Sequence, residues 1–305
     1  MKKHLTPLAG LAMVVMLTLF SPFAAAQEVT SGKPDGSEIN VLIVDGHNNH
    51  NWRESTPVLK QDLEETGLFA VTVATAPEDT GKMDEFNPKF SDYDVVVMNY
   101  NDSPDWSEET QKAFVEYVEN GGGLVIYHAA SMAFRDWKEY NLMTGVGGWG
   151  GRTKDAGPYL YLKDGKPFLD FESDGICGGH GPQHEFQLVL YEEHPITKDL
   201  PPKFMHVSDE LYDYLRGPAK NVKILAYAYA AADKGGSGRD VPILMTIPYG
   251  KGRVFHTALG HAGSHCRSVA FIITFIRGTQ WAATGKVTIP VPPDMPTAEK
   301  AMKRD

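Results

Sequence analysis

The residues able to do chemistry in this chain are mostly histidines, and they gather in short polar segments that follow apolar runs. Asp45-Gly46-His47-Asn48-Asn49-His50-Asn51-Trp52 follows Ile39–Val44, and Asn99-Tyr100-Asn101-Asp102 follows Asp94–Met98. His128-Ala129-Ala130-Ser131 follows Leu124–Tyr127, and Leu259-Gly260-His261 follows Arg253–Thr257. Imidazole titrates near neutrality, so it serves as acid, base or metal ligand and seldom as a covalent nucleophile. Two more segments carry similar groups: Gly179-His180-Gly181-Pro182-Gln183-His184-Glu185 and Ser208-Asp209-Glu210-Leu211-Tyr212. His180 and His184 have helical spacing, but the Gly-Pro between them forbids a regular helix and excludes the His-Glu-x-x-His zinc pattern. The Asp209-Glu210 pair reads equally as a helix start or as acid–base machinery. His256 lies within a predicted strand and reads as a core residue; His194-Pro195-Ile196-Thr197 reads as a structural turn.

One site is therefore expected from His50, Asn99, His128, His184, Glu210 and His261. His128, Glu210 and His261 are the expected acid–base groups. His50, Trp52, Asn99, Asn101, Trp149 and His184 are the expected substrate contacts, with hydrogen bonds from the polar groups and stacking on the indoles. His128, His184 and His261, with Glu210 or water, would also suit a divalent metal such as zinc. The alternative is an organic site in which the same imidazoles bind hydroxyls and shuttle protons.

The elements that must position these residues follow from pattern. Ile39–Val44, Phe69–Val73, Asp94–Met98 and Leu124–Tyr127 read as buried strands, while Glu54–Thr66 and the stretch from Ser107 to the Gly121-Gly122-Gly123 stop read as helices. Wholly apolar strands alternating with helices indicate a mostly parallel α/β sheet with helices on both faces. Ligands of such sheets sit outside the carboxyl ends of the strands, where the polar segments fall. The turn at His128, with small alanines after it, resembles a strand–elbow–helix. Neither cysteine lies on that elbow, and Ser131 is the remaining nucleophile candidate.

Residues 145–182 are rich in glycine and turn formers without a sustained period, as expected of a functional insertion. Strands are expected again at Glu185–Leu190, Lys223–Tyr229, Ile243–Ile247 and Arg253–Thr257, with a tight hairpin at Tyr249-Gly250-Lys251-Gly252. Val269–Ala283 reads as an apolar helix, and the Pro-rich tail as a surface strap. The organisation is thus a leader over 27–37, one domain over 38–290 with its insertion at 145–184, and a tail over 291–305.

Lys2-Lys3, the apolar run Leu8–Phe20 and Ala24-Ala25-Ala26 have the order of a secretory signal peptide cleaved after Ala26, which implies a periplasmic or secreted protein with no later membrane insertion. The chain carries 29 Lys and Arg against 39 Asp and Glu. The first 26 residues hold two of those lysines and no acid, so the mature charge is 27 minus 39, or −12. Such a chain lacks the basic footprint of a nucleic-acid binder. Two cysteines, Cys177 and Cys266, exclude a disulfide scaffold and are either one disulfide or two buried thiols.

Taken in order, several segments resemble the trehalose-utilisation (ThuA-like) family. They are Asn48-Asn49-His50-Asn51-Trp52, Gly121 through Ala130, His194-Pro195-Ile196-Thr197, Asp209-Glu210-Leu211-Tyr212, Tyr249 through Val254, Leu259-Gly260-His261 and Trp281-Ala282-Ala283. The resemblance spans about Ile39 to Pro290. It implies a flavodoxin-like fold similar to class I glutamine amidotransferases, with His128 standing where those enzymes place their cysteine, so thiol-dependent glutamine hydrolysis is not expected. The glycine-rich insertion is similar to that of an exported branch of the family. The family is associated with disaccharide catabolism beside sugar dehydrogenases, which implies a small-molecule carbohydrate partner. Two functions follow as expectations: an enzyme acting on a sugar or 3-keto-sugar by His/Glu acid–base chemistry, or a non-catalytic carbohydrate-binding protein.

Overall fold

Ile39–Asp45 forms β1, in which every residue except Asn40 is buried. Consecutive strand residues point to opposite faces, so burial of both sets means that the strand is covered on both sides. Trp52–Glu64 (α1) leads to Phe69–Thr75 (β2), and Val95–Met98 (β3) is buried throughout. Glu108–Glu119 (α2) starts where the Ser107 side chain accepts the Thr110 N–H and buries Thr110, Phe114 and Val118 at helical spacing. Gly123–Tyr127 (β4) is buried on both faces and precedes Lys138–Thr144 (α3). Next come Tyr159–Lys163 (β5), Lys166–Asp170 (β6), His184–Leu190 (β7), Lys203–Asp209 (β8) and Lys223–Ala230 (β9). Arg239–Tyr249 (β10), Gly252–Thr257 (β11), the short Gly263–Cys266 (α4) and Val269–Thr284 (α5) complete the chain. This computed structural model describes Met1, Lys33 and residues 36–101 and 105–305. The expected signal peptide, apart from Met1, and most of the expected leader lie outside the described residues, as does Asp102.

The eleven strands form one mixed sheet of order β2-β1-β3-β4-β11-β10-β9-β7-β8, with β5 and β6 appended to β10. The pairings from β2 through β11 are parallel, whereas all pairings beyond β11 are antiparallel. The expectation of a mostly parallel sheet thus holds for one half. The other half reverses direction because β10 and β11 are joined by two residues, too few for the crossover that parallel strands require. Gly250 occupies the first position of that turn at φ +57°, as a type II′ hairpin demands. Helix α1 packs on β1, β2 and α5, while Phe114 of α2 lies against Tyr140 of α3.

One element departs from the sequence expectation, and two alternatives that it left open are decided. The insertion is not wholly irregular, since it contains the β5–β6 hairpin, closed by Asp164-Gly165 with φ of 52° and 71°. Asp-Gly is the dipeptide that a type I′ turn prefers. Asp209 ends β8 and does not open a helix. Finally, Cys177 and Cys266 are both buried free thiols. The tail does cross the surface as a strap: the Met205 N–H donates to Thr297 O and the Val269 N–H to Met302 O. No helix among the described residues is long and apolar enough to cross a membrane.

Candidate active site at the strand ends

The parallel half delivers its histidines to one rim. β1 leads into His50, β4 into His128 and β11 into His261, while β8 ends one residue before Glu210. Glu210 is the centre of the group. Its Oε2 lies 3.8 Å from His128 Nε2 and 4.0 Å from His50 Nε2. Its Oε1 lies 3.4 Å from His261 Nε2 and 3.6 Å from His180 Nε2. The two pairs differ in depth: the His128 and His50 side chains are 1% and 13% exposed, against 28% and 36% for His261 and His180.

His128 is the apex of the elbow after β4 and sits at φ +45°, a left-handed conformation that costs energy for a non-glycine residue. Its Nδ1 faces Ala258 O at 2.8 Å, which requires an N–H there and leaves Nε2 as acceptor. The Tyr212 hydroxyl donates to that Nε2 at 2.7 Å. Burial, reinforced by the charges of Glu210 and Asp209, pushes the Tyr212 phenol well above its ordinary range, so it remains a donor.

His50 is held by two asparagine brackets. Its Nδ1 lies 2.8 Å from Asn49 Oδ1 and 3.2 Å from Asn48 Oδ1, again placing the proton on Nδ1. Asn101 fixes Asn49 by donating to its Oδ1 and accepting its backbone N–H. Asn99 accepts from Asn48 Nδ2 and donates to Ser55 and Thr56 at the start of α1. Burial, with the neighbouring charges of His128 and His261, pushes the His50 imidazole down to about 3.

The outer pair has opposite tautomers. The Gln183 amide donates to His261 Nδ1 at 2.8 Å, so His261 carries its proton on Nε2, facing Glu210. His180 Nδ1 donates to Gly181 O at 2.9 Å, which leaves the Nε2 lone pair facing the same carboxylate. Burial disfavours the Glu210 charge, yet the imidazoles of His128, His261 and His180 together hold its carboxyl below the ordinary value. His261 is lowered by burial, which Glu210 opposes only in part.

Asp209 supports the site from behind. Its Oδ2 accepts the Gly260 N–H and His206 Nε2–H, both at 2.8 Å, while Oδ1 accepts the Glu210 N–H at 2.8 Å. Burial opposes its charge, but His206, with the neighbouring imidazoles of His128 and His265, outweighs burial and holds the Asp209 carboxyl far below the ordinary range. Gly260 turns at φ +98°, and an added Cβ would lie 2.8 Å from the Tyr127 ring and 2.9 Å from Phe271.

Of the residues read from sequence, the structure brings His50, His128, Glu210 and His261 together, and Trp149 flanks them with its ring 4.6 Å from that of Tyr212. Asn99 and Asn101 are not free to meet a ligand, because their amides are spent on the brackets that position His50. Trp52 lies beneath the Arg53 guanidinium, 4.2 Å from its ring centre. His184 is outside the cluster: its Nδ1 bonds Pro182 O and its ring packs on Phe186. The chain reverses at Gly181-Pro182, so His180 enters in its place. The metal set of His128, His184 and His261 is corrected accordingly. His184 is elsewhere and His261 Nε2 carries a proton, whereas the ligand atoms of His50, His128 and Glu210 lie within 4.8 Å of one another. His256 is buried in β11 with Nδ1 bonded to Thr144 O. Sequence reasoning missed Tyr212 and the support of Asp209 by His206, since nothing in their spacing sets them apart from core residues.

The family model for trehalose utilisation, ThuA, matches residues 40–282. Among solved structures, the chain is similar to a thua-like protein from Parabacteroides merdae ATCC 43184, at 47% identity over 88% of this chain and 98% of that one, with a TM-score of 0.85. A thua-like protein from Bacteroides uniformis ATCC 8492 shares the fold at 19% identity over 88% of this chain and 97% of that one, with a TM-score of 0.53. No curated protein matches the chain. The model match over most of the chain, together with a 47%-identical relative covered almost end to end, means that the chain belongs to the trehalose-utilisation (ThuA) family.

Proposed function

We infer that this protein is an exported enzyme that moves a proton beside the ketone of a 3-keto-sugar. The observation that carries this reading is Glu210, each of whose oxygens is flanked by a pair of imidazoles at 3.4–4.0 Å. The trehalose-utilisation match supports a carbohydrate as partner. The strand order β2-β1-β3-β4-β11 supports a flavodoxin-like half, whose ligand rim is where the cluster lies. Export rests on the basic, apolar and small-residue order of residues 2–26 and places the enzyme in the periplasm or outside the cell.

A ketone acidifies the hydrogens on its neighbouring carbons. With the sugar seated against Trp149 and Tyr212, the His180 Nε2 lone pair takes one of these hydrogens as a proton. The C–H electron pair moves onto the carbonyl oxygen, which receives a hydrogen bond from His261 Nε2–H. Glu210, between the two rings, stabilises the imidazolium formed on His180. Return of a proton to the same face gives exchange, delivery to the opposite face gives the isomer inverted at that carbon, and loss of an oxygen substituent one carbon further on, which leaves with the proton held on His180, gives elimination. A glycoside without the ketone has no acidified hydrogen and is left untouched. The test is to incubate the mature protein with a 3-keto-glucoside and its parent glucoside and follow both by NMR. Conversion of the keto form alone is expected; binding of both without turnover would leave a carbohydrate-binding protein.

A further inference from the structure

We propose that the inner half of this cluster, His50 Nε2, His128 Nε2 and Glu210 Oε2, binds one divalent transition-metal cation of the zinc class. The Nδ1–H groups of His50 and His128 are committed to Asn49 Oδ1 and Ala258 O, so each ring presents an Nε2 lone pair, that of His128 also accepting from the neutral Tyr212 hydroxyl. Those lone pairs face a carboxylate oxygen at 4.0 and 3.8 Å with no proton between acceptor and acceptor. Three electron-rich atoms facing one another in a buried space repel unless a positive charge stands among them. Tying the far ring nitrogen to an oxygen acceptor is also the arrangement that fixes a metal-binding histidine in its ligating tautomer.

The spacing is close to what a cation needs. Metal–ligand bonds of about 2.0–2.2 Å place neighbouring ligand atoms roughly 3.3 Å apart. The separations of 3.8 and 4.0 Å, in a group whose three atoms lie within 4.8 Å of one another, therefore ask each side chain to move by less than about 1 Å. Two imidazoles and one carboxylate, without thiolate, select a borderline divalent ion over calcium or magnesium. The remaining coordination positions stay open toward His180 and His261.

The other grouping of this kind, Asp209 with His261 and His265, does not compete. Both Asp209 oxygens already accept hydrogen bonds, from Gly260 and His206 on one side and Glu210 on the other. One group does oppose loading of the inner site: the Tyr212 hydroxyl occupies the His128 Nε2 lone pair at 2.7 Å and must turn away. This makes an unusual prediction. Tyr212→Phe, which removes a hydrogen bond, should tighten metal binding.

The site shares Glu210 with the reaction inferred above, but its test uses no sugar, so the two readings stand or fall separately. Metal-stripped mature protein is titrated with Zn²⁺ by calorimetry and with Co²⁺ by visible absorption. One equivalent should bind, with a ligand-field band for cobalt. Affinity should fall at least tenfold in His50→Gln and Glu210→Gln and rise in Tyr212→Phe, with all variants checked for native circular dichroism. The absence of stoichiometric binding by the wild type would overturn the proposal. So would zinc affinity that is unchanged in His50→Gln and Glu210→Gln. Should those variants fail to fold, weaker or unchanged zinc binding by folded Tyr212→Phe would overturn it.

Discussion

The Asp209 carboxylate accepts the backbone N–H of Glu210 at 2.8 Å, so one buried acid aims the other. Its second oxygen holds the Gly260 N–H, which fixes the turn presenting His261. Asp209→Asn keeps the volume and loses the charge together with one acceptor. Because it removes the carboxylate to which the fully buried His206 imidazole donates, it should destabilise the protein by on the order of 3 kcal/mol. Urea unfolding would measure that loss, and turnover of the folded fraction should fall as well.

Asn101 touches His50 only through Asn49, which makes it a positioning residue. Asn101→Leu releases the Asn49 amide and lets the His50 ring tip. A loss of roughly 10–100-fold in zinc affinity is expected. Calorimetric titration of the metal-stripped variant beside the wild type would measure it.

The two cysteines give a direct chemical check. Cys266 is enclosed beside Tyr127, and burial pushes its thiol far above the ordinary range; Cys177 is buried against Gly147 O. A thiol reagent should find two groups after denaturation without reductant and almost none in the folded protein.

The parallel half of the fold was legible because each strand is apolar along its length and each is followed by a polar segment. His50, His128 and His261 emerged from that rule alone. The antiparallel half was harder to read. β8 places Phe204 and His206 inward beside half-exposed Met205 and Val207, so a histidine stands where the period-two pattern needs an apolar residue. The choice between His180 and His184 depended on which side of the Gly181-Pro182 reversal faces Glu210, a tertiary fact that local spacing does not carry. Asn99 and Asn101 were placed on the correct rim, yet their role as brackets became visible only from their partners.

His256 links the core to pH. It is fully buried, its Nδ1 bonds Thr144 O and its Nε2 has no partner among the described residues, so burial pushes the imidazole down to about 4. Its ordinary value is near 6.5, so the unfolded chain takes up the proton first on acidification. The stability is therefore intact above pH 6.5 and is lost as the pH falls toward and through 4, by about 3 kcal/mol in all. Denaturation curves at pH 7 and pH 4.5 should show that decline, and His256→Met should flatten it.

The central claim is that Glu210 and its imidazoles move a proton next to a ketone, and deuterium exchange reads that step directly. Wild-type protein incubated with a 3-keto-glucoside in deuterated water should incorporate deuterium at a carbon beside the ketone. Glu210→Gln should slow that incorporation by about 10²–10⁴-fold while still binding the sugar. Incorporation at the wild-type rate in Glu210→Gln, or none by the wild type under conditions where it binds the sugar, would contradict the account.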